Sequence, residues 1–178
     1  MTAQQLQIGY HVRLPGLKAW ADMFNADGGF VKHPEVAALI RDWFTAYQRY
    51  LIARYSQYSG GGGDWIPLAA STLERKKRGG LLDYILRATD LLYESFALDL
   101  VEVDIADTGL YIRVAPGGGT GVSYPGRSIS AAEVLFLHQE GTSRMPARPV
   151  VVPPEQQMID ELAQKLEAML AQIFNTAS

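Results

Sequence analysis

The stretch VEVDIADTGLYIRV, residues 101–114, alternates apolar and polar side chains in two runs separated by a turn. Val101, Val103 and Ile105 share one face on the way out, and Leu110, Ile112 and Val114 share one on the way back. A period of two with ADTG between the runs predicts a β-hairpin. A second period-two run lies at the start of the chain, where Leu6, Ile8, Tyr10, Val12 and Leu14 alternate with Gln7, Gly9, His11 and Arg13 before Pro15. This run reads as a half-buried strand.

The rest of the chain has helical periodicity. GLKAWADMFNA, from Gly16, predicts a short helix that Asp27-Gly28-Gly29 ends. From Pro34 to about Tyr55, Val36, Leu39, Ile40, Trp43, Tyr47, Tyr50 and Leu51 form one apolar face, with Pro34 suited to the first turn. Thr72 is a candidate cap for a short LERKKR helix, and a second long helix is expected over Leu81–Phe96. SAAEVLFLHQEG reads as a short helix with Ser130 as cap and Glu133 at its third position. From Pro153 to about Phe174, Ile159, Leu162, Leu166, Met169 and Ile173 step by three and four residues along an amphipathic helix. Gly60–Gly63 and APGGGTGVSYPGRS, from Ala115, read as glycine-rich loops, the first mobile or closely packed. Strand, helices, hairpin and helix in this order lack regular βαβ alternation. The expected fold is α+β: a small, mainly antiparallel sheet packed by several helices, in one domain over residues 1–178.

Composition narrows the function. The chain has 178 residues, 48% hydrophobic and 20% charged, as in an ordinary globular domain. A net charge of −3 supplies no overall basic field for nucleic acid. With no cysteine there is no disulfide, thiolate nucleophile or thiolate metal site, which fits a reducing cytosol. Neither a secretory signal nor a membrane span is expected.

The catalytic motifs are weak. GGGGDWIP places an aspartate where a phosphate loop needs Lys-Ser/Thr, and GGGTG lacks the lysine, so both read as plain loops. His11, His33 and His138 show no metal-ligand spacing, and no metal or cofactor is expected. There is no GxSxG elbow, and Glu102 with Asp104 reads as the solvated face of a strand. ERKKR, with Arg75, Lys76, Lys77 and Arg78, is the densest basic run. It can face DNA or an acidic partner, although a solvated helix end is the plainer reading.

Three segments then fall into a known order. GGGGDWIPLAASTLERKK carries Trp65, Pro67 and Leu68; LLDYILRATDLLYESF follows; LHQEGTSRMPARPVV carries His138, Gln139, Gly141, Arg144, Arg148 and Pro149. Together they resemble the phage virion morphogenesis family, the tail-completion proteins of contractile-tailed phages such as Mu and P2. The resemblance covers about residues 60–152, with a terminal helix over 153–175. It departs at Asp90, where the family usually has Gly, and at Val150, where Phe is common.

What the resemblance implies is a non-enzymatic virion protein of the tail or neck, made in the host cytoplasm. It would form a ring, as a hexamer, around the DNA channel and join head to tail beside the connector or adaptor, tail tube and sheath. Trp65, Pro67, Leu68, His138, Gln139, Gly141, Arg144, Arg148 and Pro149 then become candidates for subunit or partner contacts. Arg148 can hold a carboxylate or backbone carbonyls, inside the subunit or across an interface. The other reading is a small hydrolase or binding protein with a site around His138, Glu140 and Arg148.

Overall fold

The computed structural model describes residues 8–14, 33–87, 92, 103–106, 109–114, 122–124, 127–129 and 131–176. The short helix expected from Gly16, the ADTG tip at 107–108, the glycine run from 115 to 121 and the Ser130 cap lie outside them.

The expected α+β architecture, a small antiparallel sheet carrying packed helices, is overturned. Among residues with described side chains, 64% are helical and 2% are strand, with four helices and none in a sheet. The helices are α1 (Pro34–Ser59), α2 (Ala70–Arg78), α3 (Ala131–Glu140) and α4 (Gln156–Thr176). Backbone pairing is confined to short ladders. β1 (Ile8–Arg13), β3 (Gly109–Val114) and β2 (Val103–Ala106) run in that order, with Val103 opposite Ile112. β4 (Val122–Tyr124) pairs with β5 (Arg127–Ile129), and all of this but Ile129 falls in the stretch expected to be a loop. The buried apolar side chains lie mainly on α1, α3 and α4 and in the loops, and α2 buries none.

Two compact units divide the chain. One takes Gly9–Tyr47, Val101–Arg113 and Pro153–Ser178. Its core joins Val36, Ile40, Trp43, Phe44 and Tyr47 of α1 with Leu162, Leu166 and Leu170 of α4. Leu170, rather than the expected Met169, continues the buried seam, because steps of four from Leu162 keep one helical stripe. Trp43 stacks on Tyr47 at 5.9 Å and donates its indole N–H to Met158 O at 2.7 Å. That bond fixes the start of α4 against α1, and α4 begins at Gln156, after Pro153 and Pro154.

The other unit takes Met1–Ile8, Gln48–Leu100 and Val114–Val152. Here α1 ends in a Schellman turn, with Gly62 N–H on Gln57 O and Gly61 N–H on Tyr58 O. Gly61 has φ +86°, the left-handed conformation that glycine adopts without strain. The loop then packs closely: a Cβ on Gly63 would lie 2.1 Å from the Tyr58 ring.

Two local expectations change. α2 begins at Ala70 with Ala69 as its N-cap and no side-chain cap, so Thr72 lies inside the helix. The long helix expected from Leu81 is absent over 81–87, where the backbone turns and Leu86 has φ 60°. Tertiary bonds hold this path: Ile85 N–H donates to Ser59 O at 2.9 Å, and Tyr55 Oη–H to Leu86 O at 2.9 Å. They pin the segment to the end of α1 with Ile85 buried, overriding helix propensity. Beyond it, Leu92 is helical and buried.

Candidate functional site

The tryptophan loop and the arginine loop, about eighty residues apart in sequence, meet in one unit through Arg148. Its side chain is 5% exposed. Nε and Nη2 both donate to Ile66 O, at 3.2 and 2.9 Å, while its own N–H donates to His138 O at 2.7 Å. One residue thus ties the end of α3 to the loop after Trp65. Burial lowers the pKa of Arg148, yet a guanidinium stays charged in proteins. Its positive charge is therefore spent on a peptide carbonyl, the second of the options open to it from sequence, and within the subunit.

Gln139 closes the other side of the loop. Its Nε2 donates to Val151 O at 2.7 Å and its Oε1 accepts from Val151 N–H at 3.2 Å. A side-chain amide thereby mimics one rung of a β-ladder and holds buried Val150 and Val151 beside α3. Between these two clasps the chain makes a tight turn, with Thr142 N–H on Met145 O at 2.8 Å. Gly141, at φ +73°, leaves α3 into this turn. A Cβ there would meet Ala147 N at 2.7 Å and Met145 O at 3.0 Å, so only glycine fits.

Residues of α1 that the sequence reading did not single out complete the cluster. Arg54 donates to Pro149 O at 2.8 Å and lies 4.1 Å over the Tyr58 ring. Trp65 is buried with its ring edge-on to Tyr55 at 5.8 Å and to Tyr58 at 5.6 Å. The available signal was local: Arg54 and Tyr58 are four apart on one helix face, the spacing of a cation–π pair.

His138 is held neutral. Burial, and secondarily the charge of Arg148, lower its pKa from 6.5 to about 4. Its Nδ1 is buried with no hydrogen-bond partner among the described residues. A general base works best with a pKa near the operating pH and needs an orienting group, and among the described residues His138 has neither. Glu140 and Arg144 point outward as exposed residues. No group of three metal-ligating side chains occurs among the described residues. His33 lies just before α1 and His11 on β1, apart in sequence from His138. Glu102 lies outside the described residues, and Asp104 is opposite Tyr111.

The basic run is on α2, which buries no residue. Lys76 is the exception to a solvated cluster. Its Nζ donates to Leu82 O at 2.7 Å and to Tyr84 O, and burial lowers its pKa against the raising effect of Asp83. Arg75, Lys77 and Arg78 are exposed. Beside α2 lies an open groove of about 630 Å³, lined among others by Trp65, Ile66, Leu68, Leu73, Tyr84 and Ile85. Ile66 and Tyr84 are 56% and 46% exposed, so the groove shows apolar surface to solvent. Pro67 is exposed on its rim and Leu68 half-buried.

The arrangement can hold a loop rigidly and present apolar side chains. Among the described residues it aligns no nucleophile, base and oxyanion donor, and no helix is long and apolar enough to cross a membrane. No protein-family model, curated protein or solved structure matches the chain.

Proposed function

We propose that this chain is a structural virion protein of a contractile phage tail or neck, a tail-completion subunit that forms a ring around the DNA channel and joins head to tail. One observation carries the reading: Arg148, Gln139 and Gly141 are all used to fix backbone, and Ile66, whose carbonyl Arg148 holds, stands exposed with Tyr84 over an open groove. A catalytic site would leave polar groups free for substrate. A self-assembling subunit instead needs rigid loops with apolar contacts ready for a neighbour, because ordering costs then fall before association. A ring further requires two different faces that fit each other.

In this role the chain has no enzymatic activity, and its partners are further copies of itself and the adjacent connector, tube or sheath proteins. The test is genetic. A phage that encodes the chain, with that gene removed, should accumulate filled heads and separate tails under the electron microscope, and supplying the chain should restore joined particles. Normal particles formed without it would defeat the proposal.

A further inference from the structure

The groove and the outer face of α2 have opposite chemistry. Asp64 and Asp83 stand on the lining of the groove, around the apolar surface of Ile66, Leu68 and Tyr84. Asp64 is exposed and makes no ion pair among the described residues. α2 turns Leu73 toward this groove, and Lys76, one turn on, toward the carbonyls of Leu82 and Tyr84. Arg75 and Arg78, two and five residues past Leu73, fall on the far side of the helix at 3.6 residues per turn. Both are exposed, α2 buries nothing, and Leu81 and Leu82, after the Gly79–Gly80 turn that follows it, are each 41% exposed. One face of the unit is therefore an acid-rimmed apolar groove, and another is a basic helix edge followed by two exposed leucines.

We propose that the groove of one copy receives the Arg75–Arg78 edge of α2, with Leu81 and Leu82, from the next copy. This rests on the ring reading and specifies the contact that closes it. The two faces differ, so the contact is heterologous and repeats around a ring instead of stopping at a dimer. The arginines meet Asp64, the leucines cover Ile66 and Tyr84, and the charge pairing sets the register, while Asp83 acts on Lys76 of its own copy. The basic run then meets a neighbouring subunit and not the DNA.

The experiment uses the full chain and measures assembly mass by sedimentation at low ionic strength. Arg75→Glu with Arg78→Glu reverses one face, and Asp64→Arg reverses the other. Each change places like charges across the contact and should weaken assembly by about tenfold or more. A chain carrying all three substitutions restores opposite charges and should assemble again. All three positions are exposed, so each variant should keep the parent's circular dichroism and melting temperature, and Asp64→Asn serves as a milder second change on the groove side. Loss in both single-face variants with recovery in the combined chain supports the contact. Parent-like assembly of either single-face variant, or no recovery in the combined chain, overturns it. A ring that persists through every charge reversal leaves the ring reading intact and removes only this contact, whereas a chain that joins no particle defeats both.

Discussion

Replacing Arg148 with methionine tests whether one side chain holds the two loops together. Methionine keeps most of the buried stem, so the change removes chiefly the guanidinium fork from Ile66 O. The bonds at 3.2 and 2.9 Å share one acceptor, and we count them as a single charge-assisted interaction of about 1.5–3 kcal/mol. Losing the fork leaves the Ile66 carbonyl unpaired, while removing a desolvated charge returns part of the cost. A net loss of about 2 kcal/mol remains, or about 4–8 °C in melting temperature for a chain of this size. Urea unfolding would measure it, and amide exchange of Ile66 and Trp65 should quicken. Arg148→Lys keeps the charge without the fork. It should therefore lose similar stability but still depress the His138 titration, which should move upward in Arg148→Met. A methionine variant as stable as the parent, with unchanged exchange at Ile66, would refute the clamp.

Other outcomes follow from the same geometry. Gly141→Ala combines a left-handed backbone with a 2.7 Å contact to Ala147 N and should cost about 2–4 kcal/mol in urea unfolding. Gly61→Ala meets nothing within 4 Å and should cost only about 1 kcal/mol for the conformation itself. The folded-state pKa of His138 is lowered to about 4 from 6.5, so the unfolded chain binds its proton more readily. The stability this neutral histidine contributes is present above pH 6.5 and is lost as pH falls toward 4, by up to about 3 kcal/mol. His138→Leu should flatten that part of the pH profile relative to the parent. Lys76→Met removes the donor to Leu82 O and Tyr84 O and should cost about 1 kcal/mol, where Arg75→Met costs less than about 0.5 kcal/mol.

The long helices were legible because burial writes its period into the sequence. Val36, Ile40, Trp43, Tyr47 and Leu51 step by three and four, and so do Leu162 and Leu166. Alternation around Val103 and Ile112 marked strand backbone correctly enough to locate β2 and β3, but alternation does not say whether a strand carries the core. The expectation of helices packed on a sheet failed at that step. The helix expected from Leu81 failed over 81–87 because Ile85 and Leu86 answer to Ser59 and Tyr55, partners far away in sequence. The same limit applied to the site. Trp65, Gln139, Gly141 and Arg148 stood out through the segments that carry the family resemblance, but their joint use as a clasp depends on bonds across 82 residues to Ile66 and 95 from Arg54 to Pro149. No local pattern encodes such pairs.

Electron microscopy of the purified full chain, followed by joined particles bearing a tagged copy, tests the central claim most directly. The account predicts closed rings of six copies, far above the 19.6 kDa of one chain, and the same ring at the head–tail junction around the channel. A chain that stays at 19.6 kDa and labels no position on the particle would contradict it.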